Sequence, residues 1–177
     1  IQQIRKINKN LLIAVDHEGG RVQRFRLGFT HLPAMAVLGE LYDRHPKKAL
    51  KKAFSCGFIL AHELLIVGVD FSFAPVLDID YGNSSVIGDR AFHSNPEAIV
   101  KLAAQLIAGM RAAGMKCVGK HFPGHGYVTL DSHLELPVDD RSMRELAPDM
   151  STFKGLINNG LDALMPAHVV YTKVDDK

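Results

Sequence analysis

The sequence predicts an α/β protein with a parallel sheet, and three observations carry that reading. Four short apolar runs, at residues 11–15, 70–74, 115–119 and 163–165, are near-continuous rather than alternating. That is the pattern of strands with both faces covered by helices. Helical periodicities lie between the runs. Polar or charged residues follow each one: Asp16, then Asp78 and Asp80, then Lys120 and His121, then His168. Chemistry gathered at the C-terminal ends of parallel strands suits a TIM barrel or a doubly wound sheet. Four strands are too few to close a barrel, so a barrel reading makes this chain a piece with open sheet edges.

Each helix has its own signal. Residues 45–67 place Ala49, Leu50, Ala53, Phe54, Gly57, Leu60, Ala61, Leu64 and Leu65 close to a 3.6-residue period. Asn95-Pro96-Glu97 offers an N-cap followed by proline at the first helical position. That helix should run to Ala113 and stop at Gly114. A third helical region covers residues 142–159, where Pro148 marks a break or a second start. No internal repeat or linker interrupts the 177 residues, so we expect one domain, spanning 1–177.

Composition excludes several function classes. Lys and Arg number 21 against 19 Asp and Glu, a formal charge of +2, and no basic run suggests a nucleic-acid partner. Lys47, Lys48, Lys51 and Lys52 read as a solvated helix face. Cys56 and Cys117 sit in apolar surroundings outside any metal or redox motif, as buried free thiols in a reducing compartment do. The most apolar window, 58–69, is interrupted by His62 and Glu63 and is too short to cross a bilayer. No signal-peptide pattern opens the chain, which begins at Ile1 rather than Met. The expectation is a cytoplasmic monomer with no membrane partner.

Three constellations carry the chemistry. Val15-Asp16-His17-Glu18-Gly19-Gly20-Arg21-Val22-Gln23-Arg24 leaves the first strand through a glycine pair. Asp16, Arg21 and Arg24 there suit hydroxyls or anions, or an internal ion pair, and no nucleotide fingerprint is present. Asp89-Arg90 follows a Gly/Asn/Ser-rich loop at 82–88. The third is Lys120-His121-Phe122-Pro123-Gly124-His125-Gly126 with Asp131-Ser132-His133. Lys120 and His121 bring donors suited to sugar hydroxyls or an anion. Asp131 and His133, two apart in an extended segment, project to one side, so the carboxylate can orient the imidazole for proton transfer. A Ser-His-Asp triad is disfavoured, because Ser132 points away from its neighbours and no G-x-S-x-G elbow exists. A metal site from His121, His125, His133 and Asp131 matches no standard spacing, and Lys120 would set a positive charge beside it. No metal or cofactor is expected.

Taken in order, these segments resemble the family 3 glycoside hydrolases, specifically the bacterial β-N-acetylglucosaminidases of cell-wall recycling (the NagZ type). The resemblance rests on the run 14–24, Phe73-Ala74-Pro75-Val76-Leu77-Asp78, Gly88-Asp89-Arg90-Ala91-Phe92, the 120–126 loop with 131–133, and Met165-Pro166-Ala167-His168-Val169. It covers almost the whole chain. It implies a TIM-like (β/α)8 barrel, present as about four strands, with an N-acetylglucosamine pocket formed by Asp16, Arg24, Arg90, Lys120 and His121. It also implies a retaining β-N-acetylhexosaminidase acting on muropeptides, with His133 as general acid/base assisted by Asp131. The family's nucleophile belongs to a Ser-Asp-Asp type motif after a later strand. The 177 residues contain no such motif, and this piece alone is expected to be inactive. Two alternatives share the pocket: a phosphorylase, and a non-catalytic sugar-binding or scaffold protein.

Overall fold

The computed structural model describes residues 1–129 and 136–175. The chain runs through helix α1 (Gln2–Ile7), strands β1 (Ala14–Val15), β2 (His17–Gly19) and β3 (Val22–Gln23), then helices α2 (Met35–Arg44) and α3 (Pro46–Ile66). Strand β4 (Phe71–Ser72), a 3₁₀ turn at Gly88–Arg90, helix α4 (Pro96–Ala112) and strand β5 (Lys116–Phe122) follow. Strand β6 (Val138–Asp139), helix α5 (Met143–Ile157), and strands β7 (Ala163–Pro166) and β8 (Val170–Tyr171) complete it.

The four strands expected from the sequence form one parallel sheet in the order β1-β4-β5-β7. Spatial order follows chain order without reversal. A doubly wound sheet reverses at its switch point, so the sequential order selects the barrel alternative. Two small strand pairs, β2-β3 and β6-β8, stand outside this sheet. Leu60, Leu64, Leu102, Leu106 and Met110 from α3 and α4 pack with Leu77, Met115 and Cys117 in one apolar core.

Local signals predict α4 well: Asn95 accepts the Glu97 backbone N–H at 2.8 Å, and Gly114 follows with a positive φ of 97°. Pro148 breaks nothing. It lies inside a continuous α5 that starts where the Glu145 carboxylate takes the Ser142 N–H and hydroxyl, at 2.8 and 2.7 Å. Buried Leu146, Asp149, Thr152, Phe153 and Leu156 hold the helix on both sides of the proline, and packing outweighs one lost backbone bond. The first strand is shorter than expected, because Leu11 and Leu12 are exposed and pairing begins at Ala14. Strand β7 pairs only with β5 among the described residues, and three of its four residues are exposed instead of buried.

The turn after β1 is built for close approach. Ser72 Oγ donates to the His17 and Val15 carbonyls and accepts the His17 N–H, fixing the chain as it leaves the sheet. Gly20, at φ 54°, then lets β2 double back into β3 against Ala34, which a Cβ would meet at 2.9 Å. His17 is fully buried against Phe25 and Phe29, with ring centroids 6.1 and 5.8 Å away, and neither ring nitrogen has a hydrogen-bond partner. Burial pushes its pKa down, more than Glu63 pulls it up, and Arg26 lowers it further. The folded chain therefore refuses a proton that the unfolded chain takes near pH ~6.5, so stability is full above that value and falls as acidity increases. Melting temperature measured from pH 7.5 down to 5 should drop in the wild type and drop less in His17→Phe. Identical slopes would show that His17 does not carry the effect.

Candidate active site

A cavity of about 680 Å³ opens at the C-terminal end of the sheet, lined in part by Asp16, Arg24, Arg90, Lys120, His121 and His168. At its base Lys120 is only 2% exposed. A buried ammonium is tolerated when paired and hydrogen-bonded. Its Nζ donates to Asp16 Oδ1 at 2.8 Å and lies 2.5 Å from Glu18 Oε1. Arg90 reaches the same Glu18 with two parallel bonds, Nε to Oε2 and Nη2 to Oε1, both 2.9 Å. Two cations and two carboxylates thus form one linked quartet. Burial alone would raise the Glu18 carboxyl; the Arg90 hydrogen bond and the Lys120 charge outweigh it and hold Glu18 below its ordinary value. Asp16 is held low in the same way, chiefly by Lys120 against burial.

His121 is set by a second carboxylate. Its Nδ1 lies 2.7 Å from Asp78 Oδ2, while Asp78 Oδ1 accepts the backbone N–H groups of His121 at 3.3 Å and His125 at 2.8 Å. Asp78 is fully buried. Burial pushes its carboxyl up, but the charge and hydrogen bond of His121, with the two backbone donors, bring it below the usual range. An ionised Asp78 accepts a hydrogen bond from the Nδ1–H of His121, which leaves Nε2 as the atom His121 has for a ligand. Lys120 retains one of its three protons, and Arg90 has one further proton on each terminal nitrogen, Nη1 being shared with the Val86 carbonyl at 3.0 Å. Alternating acceptors and donors of this kind match vicinal hydroxyl groups.

The structure therefore brings together four residues singled out from the sequence, Asp16, Arg90, Lys120 and His121, and puts Arg24 at the exposed rim. Arg21, read as a ligand group or ion-pair member, is used structurally. It pairs with Asp89 at 2.9 Å rather than Asp16, and donates to the Ser85 and Val86 carbonyls, bracing the cavity wall. Glu18 and the orienting role of Asp78 escaped the sequence reading. Two acids at i and i+2 after a strand, facing a lysine at the end of another, are the signal for Glu18. The proposed proton pair, Asp131 and His133, lies outside the described residues.

A further cluster is centred on the buried Arg141. Arg141 binds Asp139 at 2.7–3.0 Å and Asp149 at 2.9 Å, and lies 4.2 Å from the Tyr127 ring centroid and 5.3 Å from that of Tyr81. Tyr81 donates to Asp149 at 2.8 Å, and Tyr171 donates to the Gly124 carbonyl at 2.8 Å. Residues 127 and 141, fourteen positions apart, are thereby joined. Among the described residues no group of three or more His, Cys, Asp or Glu is placed to hold a metal ion. No described helix is long and apolar enough to cross a membrane.

Residues 1–177 match the N-terminal domain of glycosyl hydrolase family 3, and the chain belongs to that family. The partial barrel is part of that domain's TIM-like (β/α)8 fold. The chain is 59% identical over 168 residues to a β-hexosaminidase of Methylobacillus flagellatus, covering 94% of this chain and 48% of that protein. It is 59% identical over 177 residues to a β-hexosaminidase of Hydrogenovibrio crunogenus, covering 99% and 49%. The crystal structure of NagZ from Neisseria gonorrhoeae in complex with N-trifluoroacetyl-D-glucosamine superposes with a TM-score of 0.94 at 54% identity, over 99% of this chain and 52% of that one. The chain spans about half the length of the curated relatives it matches.

The Asp78 geometry yields a stability test. An amide at position 78 has one acceptor atom for three donors, so Asp78→Asn should destabilise the protein by about 2–3 kcal/mol, the scale of lost bonds to a buried charged group. Urea unfolding would measure it, and a change within the scatter of surface substitutions would contradict the assigned network.

Proposed function

We propose that the whole protein is a retaining β-N-acetylhexosaminidase that removes terminal β-linked N-acetylglucosamine from peptidoglycan fragments. The observation that carries this reading is the Asp16–Lys120–Glu18–Arg90 quartet, with His121 beside it, at the strand ends of a family 3 domain. Its donors and acceptors suit the hydroxyls of one pyranose. Support comes from relatives named β-hexosaminidase and from a similar structure that holds an N-acylated glucosamine.

In this mechanism Asp131 orients His133, which protonates the leaving glycosidic oxygen and later takes a proton from the attacking water. A carboxylate forms the intervening glycosyl-enzyme. The pocket carboxylates Asp16 and Glu18 are committed to cations, and Asp78 is buried against His121. We therefore assign the nucleophile to a part of the protein outside residues 1–177. Phosphorolysis would need a phosphate dianion beside the sugar, and the charge-balanced quartet offers it little attraction, so water is the acceptor we assign. Cys56 and Cys117, both buried and free, fit a reducing compartment such as the cytoplasm.

The test is hydrolysis of a chromogenic β-N-acetylglucosaminide by the whole protein. His133→Ala should lower kcat by about 10²–10⁴-fold, the usual contribution of a positioned acid/base, and Asp131→Asn should lower it less. Turnover unchanged in His133→Ala would remove the assigned role, and no turnover by the wild type would favour a binding protein.

A further inference from the structure

Glu18 is the one member of the quartet that does not line the cavity. Its side chain is 4% exposed, and both oxygens are occupied: Oε1 by Lys120 and Arg90, Oε2 by Arg90. Lysine and arginine donors converging on two oxygens of one carboxylate are the arrangement by which proteins capture a carboxylate or phosphate ligand. Here the captured anion belongs to the chain itself. Asp16, 43% exposed at the mouth, adds a second negative charge that an entering anion must approach.

We propose that Glu18 determines specificity by acting as a resident anion. It fills the place between Lys120 and Arg90 that a ligand anion would take, so the pocket accepts uncharged hexosamines and rejects sugars bearing phosphate or carboxylate. The quartet with Glu18 holds two positive and two negative charges; without it the balance is +1. Glu18 acts only through the two cations, and its effect on ligands follows from charge as well as position. This inference rests on reading the cavity as the sugar site.

The variant Glu18→Gln separates charge from shape, and Glu18→Asp restores the charge on a shorter arm. In the whole protein, inhibition of chromogenic glycoside hydrolysis by N-acetylglucosamine and by its 6-phosphate is compared, together with inorganic phosphate. The wild type should prefer the neutral sugar. In Glu18→Gln the neutral sugar should weaken while phosphate inhibition tightens by about 10-fold or more, an effect that fades as salt screens it; Glu18→Asp should keep the wild-type order. Thermal melts in phosphate against chloride of equal ionic strength give a readout free of activity. Phosphate should raise the melting temperature of Glu18→Gln and leave the wild type unmoved, since a ligand that binds the folded state stabilises it. Should Glu18→Gln fold poorly, refolding in phosphate is expected to recover it. Equal loss of neutral and anionic ligands, or a wild type that binds the 6-phosphate as tightly as the neutral sugar, overturns the proposal. So does a Glu18→Gln protein that phosphate neither stabilises nor helps to refold. If the whole protein proves to have no glycosidase activity, the melts still decide the matter.

Discussion

Burying the ammonium of Lys120 imposes the geometry on which the rest of the site depends. Strand β5 delivers this side chain to the end of the sheet at 2% exposure, where a cation without partners would be costly. Its partners come from the turn after β1, two strands away across β4, roughly 10 Å by ordinary strand spacing. The lysine arm is long enough to cover that distance only if the β1 turn folds back over β4. Ser72 on β4 holds that turn through the His17 and Val15 carbonyls, and the glycine pair lets it reverse into β3. Satisfying one buried charge therefore fixes how the first, second and third strands of the sheet meet at their ends.

The same demand organises the cavity. Glu18, drawn in by Lys120, also anchors Arg90, and Arg90 carries the 3₁₀ turn and the 82–88 loop that Arg21 braces from outside. On the far side Asp78 ties His121 and the His125 backbone to the end of β4's loop. The quartet is preorganised because each of its charged groups is held by another of opposite sign. Preorganisation of this kind lets binding energy go to positioning the ligand rather than ordering the protein. The Arg141 cluster is a second set of paired charges, joining Tyr127 to the start of α5 and to Asp149.

Much of this was legible in the sequence, and the boundary follows interaction range. The α4 caps, the α3 periodicity and the polar residues after each strand are local signals, and the structure bears them out. Asp16, Arg90, Lys120 and His121 were recognisable because each sits just beyond a predicted strand or its loop. Glu18 was missed because its role depends on partners 72 and 102 positions away, Arg90 and Lys120. Of the two readings of Arg21 the ion pair is present, but with Asp89, because nothing local distinguishes Asp16 from Asp89 as its partner. The expected break at Pro148 failed for a related reason, since burial of Leu146 and Phe153 on either side overrides the local signal. Helix α2 gave no cap to read: Ala34 precedes it without a side-chain bond.

The central claim is that the quartet and His121 form the seat of one neutral sugar ring. The most direct test is a crystal structure of the whole protein with N-acetylglucosamine. The account predicts sugar hydroxyls within hydrogen-bond distance of Asp16, Lys120, Arg90 and His121, with Glu18 still bridging the two cations. A sugar bound elsewhere, or bound with the Glu18 bridge broken, would contradict it.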